Sequence, residues 1–93
     1  MITAIVLIDA EASRIPEVAQ EAAEIDGVSE VYSVTGDVDL VAMVRVPEHE
    51  QLAGVISDRL SKVQGVVRTR TYLAFQSYSQ HDLEAAFALG LGD

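Results

Sequence analysis

Apolar positions along this chain follow two different periods. Residues Ile2 to Asp9, "ITAIVLID", are apolar in both alternating sets: Ile2, Ala4, Val6 and Ile8 on one side, Ile5 and Leu7 on the other. A strand that is greasy on both sides belongs inside a sheet that is covered twice. From Ser13 to Ile25 the period lengthens to that of a helix, with Ile15, Val18, Ala19, Ala22 and Ile25 on one stripe. Ser13 suits the N-cap, Pro16 falls in the first turn, and Gly27 suits a left-handed stop. Val28 to Thr35, with Ser29, Ser33 and Thr35 interleaved, predicts an edge strand. Asp39 to Val46, "DLVAMVRV", predicts a second doubly apolar strand, ended by Pro47. A helix is predicted over 48–63, with Leu52, Val55, Ile56, Leu60 and Val63 on its buried stripe and Gly65 as its stop. Val66 to Ser79 predicts a long fourth strand that overruns the sheet. The tail from His81 reads as a short helix capped by Asp82, with Leu83, Ala86 and Phe87 offered to a neighbouring subunit.

The two halves repeat each other. A shift of 38 carries Ile25, Gly27 and Val28 onto Val63, Gly65 and Val66, and carries Val18 and Ala22 onto Ile56 and Leu60. Each half is strand, helix, Gly-Val, strand. The order βαββαβ predicts an α+β, ferredoxin-like domain over 1–79, with a C-terminal helical extension over 80–93. Right-handed crossovers place both helices on one face of a four-stranded antiparallel sheet, with the first and third strands central. Two helices cover only one face, and the central strands are apolar on the other as well. A second copy packing sheet on sheet answers that exposure, giving a two-fold homodimer. A monomer whose tail folds back over the sheet is the alternative.

Composition narrows the partners. Ninety-three residues carry 6 basic and 15 acidic side chains, a net charge of −9. That balance opposes nucleic-acid backbones and anionic membranes. No apolar run approaches the ~20 residues of a membrane span, and no basic segment leads into an apolar leader, so a cytoplasmic protein is expected. The chain has no cysteine, which removes disulfides and thiolate metal sites. A domain this small buries only about 60–65% of its unfolded surface, so association is an expected source of stability.

The turn "TGDVD", Thr35 to Asp39, carries the candidate chemistry. Glycine and aspartate are ordinary hairpin residues. A carboxylate beside exposed backbone N–H groups also suits an amino acid, whose ammonium it would accept while the N–H groups meet the carboxylate. The segments "VSEVYSVTGDVDLVAMVRVP" and "GVVRTRTYLAF" resemble the effector-binding domain of the Lrp/AsnC family, also called RAM, across nearly the whole core. The resemblance implies a ferredoxin-like subunit that dimerises through its sheet, dimers joined in rings, often octamers, and an amino-acid pocket between dimers. It implies a pocket lined by Gly36, Asp37 and Asp39 of the turn and by Thr71, Tyr72, Leu73 and Ala74 of the last strand, with His49 near it. On that pattern Asp39 holds the ammonium, the Gly36–Asp37 backbone meets the carboxylate, and Tyr72 to Ala74 shape the side-chain pocket. Full-length members carry an N-terminal helix-turn-helix; here the first strand begins at Ile2, which implies a stand-alone effector domain. Such a domain would bind an amino acid, or co-assemble with a full-length relative, without touching DNA. No catalysis and no cofactor are expected.

Other groups read as structural. His49 and His81, with Glu48, Glu50 and Asp82 beside them, lack the spacing that puts two histidines on one helix face, so no metal is expected. Arg45, Arg68 and Arg70 suit salt bridges, with recognition of an anionic ligand as the alternative. Tyr32, Tyr72 and Tyr78 suit packing with a wet hydroxyl. The competing function is a dimeric α/β-barrel enzyme of the monooxygenase or isomerase type. Such enzymes need His, Asn or Trp in a cavity, and this chain has no Trp and no Asn. RNA binding on the sheet lacks an aromatic platform and positive charge.

Overall fold

Strands form where the alternating pattern predicts them in the computed structural model, which describes residues 1–78. They are β1 (Ile2–Ala10), β2 (Val28–Ser33), β3 (Leu40–Val46) and β4 (Val66–Leu73). All pairings are antiparallel, in the order β2-β3-β1-β4, so the two doubly apolar strands are central and β2 lies at an edge. Helix α1 (Ile15–Ala23) joins β1 to β2, and α2 (Gln51–Ile56) lies between β3 and β4. The fold is the ferredoxin-like α+β arrangement.

Several boundaries differ from the sequence reading. Ser13 caps nothing: it lies inside a 3-10 turn, Ala12–Arg14, closed by the Arg14 N–H donating to Glu11 C=O at 2.8 Å, and α1 begins only after it. Pro16 does fall in the first turn of α1. The helix predicted over 48–63 is broken. α2 is six residues long, and its stripe continues through a separate 3-10 turn, Leu60–Lys62. Gly54 weakens the helix from within, and no side chain caps its N-terminus. β2 stops at Ser33 and β3 starts at Leu40, which lengthens the turn between them at both ends. β4 stops at Leu73, paired with Ala4, rather than at Ser79; β1 has only Thr3 and Ile2 left beyond that pair, and after the Ala74 N–H donates to Thr3 C=O at 2.8 Å regular pairing ends. The tail helix over 80–93, His81 and Asp82 lie outside the described residues.

One sheet face makes the core. Ala4, Val6 and Ile8 of β1 and Leu40, Ala42, Val44 and Val46 of β3 are buried against Val18 and Ala22 of α1, Val55 of α2, and Leu60. Small and large side chains alternate across the pair, Ala4 opposite Val44 and Val6 opposite Ala42. Burying each Val, Leu or Ile contributes roughly 1.5–3 kcal/mol.

The internal repeat is visible in the packing. Gly27 and Gly65, equivalent under the 38-residue shift, have φ of 99° and 102°, values that L side chains avoid. Each also presses on the helix of the opposite half. A Cβ at Gly27 would stand 2.8 Å from Val55 Cγ2 of α2; one at Gly65 would stand 2.8 Å from Val18 Cγ2 of α1.

The other sheet face carries no described helix. Strand register sets it out in rows: Tyr32, Val41, Leu7 and Arg70 in one, Glu30, Met43, Ile5 and Tyr72 in the next. Its centre is aliphatic and half-buried, and Tyr32 and Tyr72 at its margins are about half exposed. Three ion pairs edge it. Arg45 Nη1 reaches Glu30 at 2.7 Å, Arg68 Nη2 reaches Asp9 at 2.9 Å, and Arg70 Nη2 stands 3.9 Å from Asp37.

Candidate functional site

The turn between β2 and β3 is built by Asp39. Its N–H donates to Ile8 C=O at 3.0 Å, its C=O accepts from Val34 N–H at 3.1 Å, and its Oδ2 accepts from Ala10 N–H at 2.9 Å. Backbone and side chain together therefore tie the turn to the end of β1. Gly36 has a φ of 132°, and nothing lies within 4 Å of where a Cβ would stand, so the crest of the turn is open. The Gly36 and Asp37 amides donate to no acceptor among the described residues. Asp37 points outward, its side chain 92% exposed, toward Arg70 of β4.

The remaining predicted residues are spread over the subunit. Thr71 and Leu73 pair opposite Val6 and Ala4, which puts them on the helix-bearing side of β4; Tyr72, opposite Ile5, is on the open face. Ala74 follows the last paired residue. His49 is exposed in the loop after β3, at the far end of that strand from the turn. Seven strand residues at about 3.3 Å each put it roughly 20 Å away. A single subunit thus joins Gly36, Asp37 and Asp39, but it does not bring His49 or Leu73 to them. The register adds a residue that the sequence reading treated mainly as a salt-bridge partner: Arg70, carried beside the turn by β4. The "TRT" spacing marks it as a strand residue, but only the pairing of β4 with β1 reveals its neighbour.

Two hollows lie elsewhere. One of about 510 Å³ runs between α2 and the end of β3, lined by Gly27, Arg45, Gly54 and Arg59 among others. Another of about 530 Å³ lies over the open face at Thr3, Ile5, Met43 and Phe75. Neither contains the turn. Among the described residues no group of three or more His, Asp or Glu is arranged to hold a metal ion, and no helix is long and apolar enough to cross a membrane.

The pattern of the Lrp/AsnC ligand binding domain matches residues 3–83. The chain is 39% identical over 59 residues to an uncharacterised HTH-type transcriptional regulator, PH1916, of Pyrococcus horikoshii, covering 63% of this chain and 39% of that protein. It is 30% identical over 79 residues to the HTH-type transcriptional regulator FL11 of Pyrococcus furiosus, covering 85% of this chain and 52% of that one. The chain therefore spans about half or less of these curated relatives. The crystal structure of TTHA0845 from Thermus thermophilus superposes with a TM-score of 0.81 at 45% identity, covering 86% of this chain and all of that one. A shared pattern over most of the length, together with a shared fold, establishes that this chain belongs to the Lrp/AsnC ligand-binding domain family.

Proposed function

We propose that this protein is a non-catalytic module that binds an amino acid and assembles through its sheet, serving transcriptional regulation. The observation that carries the reading is the family match over residues 3–83, together with a turn whose crest is open and whose outer amides are unpartnered. Gly36 and Asp37 present the polar contacts, and Asp39 fixes the turn that holds them. Thr71, Leu73 and Ala74 reach the same ligand from a neighbouring copy, since one subunit does not gather them. A role for His49 likewise requires another copy.

Assembly follows from the open face. The aliphatic strip of Ile5, Leu7, Val41 and Met43 is shielded by no described helix, and a second copy laid on it buries that strip. Dimers joined at their turns make the ring. A full-length relative is a further partner for the same surface. Direct contact of this domain with nucleic acid is opposed by its charge of −9. The cytoplasm is the matching compartment. The enzyme alternative gains nothing from the core face, where no polar or charged side chain is buried among the described residues.

Calorimetry against each of the twenty amino acids tests the reading, with native mass spectrometry reporting assembly and bound mass together. Saturable binding of at least one amino acid by an oligomer is the expected result. Absence of binding at millimolar concentration overturns the sensor reading.

A further inference from the structure

We infer that residues 74–78 form an arm by which two copies clasp each other, the Phe75 ring of each seating in a hollow on the open sheet face of the other. This rests on the assembly reading above and does not depend on amino-acid binding. The chain leaves the sheet after Leu73, where the Ala74 N–H donates to Thr3 C=O at 2.8 Å. It then runs on to Tyr78 without joining a helix or strand. Phe75 is 99% exposed, the most of any large apolar side chain among the described residues, and Tyr78 is 83% exposed. The Phe75 ring therefore packs against almost nothing in its own subunit. A bare ring of that size is costly to leave in water.

The same segment borders the hollow of about 530 Å³ over the open face. The lining includes two facing pairs of the β1–β3 register, Ile5 with Met43 and Thr3 with Arg45. That is the chemistry of a seat for an aromatic ring. Ile5 offers aliphatic contact, the Met43 thioether suits a ring edge, and a guanidinium suits a ring face. The bond from Arg45 Nη1 to Glu30 at 2.7 Å holds the guanidinium beside the hollow. Phe75 of the same chain does not fill the seat, because it stands at the rim with its ring bare. One patch thus carries both a projecting ring and a place for one, which is the self-complementarity a two-fold contact requires. The occupant is a second copy, because the hollow is continuous with the aliphatic strip of Ile5, Leu7, Val41 and Met43 that a second copy covers.

The test uses the full chain and two measurements. In sedimentation equilibrium, Phe75→Ser is expected to weaken self-association by about tenfold or more, with far-UV circular dichroism unchanged because the ring supports nothing in its own subunit. Phe75→Tyr is expected to associate like wild type. For the contact itself, a chain carrying the photoreactive p-benzoylphenylalanine in place of Phe75 is mixed with isotopically heavy wild-type chain and irradiated. The expected product is a light–heavy dimer whose cross-link maps, by mass spectrometry, to Ile5 or Met43 of the heavy chain. Both results are required. Wild-type association by Phe75→Ser, or cross-links elsewhere on the heavy chain, overturns the arm and leaves sheet-on-sheet assembly standing. Cross-links confined within the light chain show that the hollow is filled by its own chain, and also overturn the arm. A wild type that stays monomeric at millimolar concentration overturns the arm and the assembly reading together.

Discussion

Two aspartates in one turn have different duties, and their partners separate them. Asp39 accepts from Ala10, 29 residues away in sequence, and also bonds through its backbone to Ile8 and Val34. Asp39→Ala leaves the part-buried Ala10 N–H without that acceptor and is expected to cost about 1–2 kcal/mol, read as a lower urea midpoint at unchanged slope. Asp37→Ala, on an outward side chain, is expected to leave stability within about 0.5 kcal/mol. The turn itself was legible in the sequence, because Gly36 beside two aspartates is a recognisable signal. Which aspartate is structural was not, since that depends on where β1 ends relative to β3. Gly65 is the other residue with little freedom. Gly65→Ala would put a Cβ 2.9 Å from Arg14 Cβ in a backbone conformation that alanine avoids. A loss of roughly 1–3 kcal/mol in chemical denaturation is expected.

Elements were legible in proportion to how far their own residues determine them. β1 and β3 declare themselves, because apolar side chains on both faces leave few alternatives. β4 reads too long from its sequence, since "VVRTRTYLAF" is strand-like throughout, yet its pairing with β1 ends at Leu73, opposite Ala4. α2 reads too long for another reason. Leu60 and Val63 continue the helical stripe and do pack inward, but after the helix has ended: Leu60 opens a 3-10 turn and Val63 is the extended residue that follows it. Gly54 lies in the interior of α2 with nothing within 4 Å of its missing Cβ. Gly54→Ala is therefore expected to raise stability by up to about 1 kcal/mol, seen as a higher melting temperature.

For the whole molecule the open sheet face decides the behaviour. Ile5 and Met43 sit opposite each other at its centre, where a charge would be buried by any copy docked there. Met43→Glu is expected to weaken self-association more than tenfold in sedimentation equilibrium, with the helix-bearing core untouched. A variant that associates like wild type would show that copies meet elsewhere. The surplus of apolar surface could be read from the sequence, because the doubly apolar strands outnumber the faces that two helices can cover. The placement of Arg70 beside Asp37 could not, because it arises from register across two strands.

The order of the strands carries one more consequence. β1 lies between β3 and β4, while β2 touches only β3, so neither half of the repeat contains a pair of its own strands side by side. The crossed glycine contacts with α1 and α2 deepen this mutual dependence. Ala4 meets Leu73, so nearly the whole chain must be looped back before β1 is paired on both edges. Such closure is slow compared with helical folds. Peptides severed at Gly36 should each be unstructured alone and should recover the sheet only on mixing, at a rate that rises with their concentration.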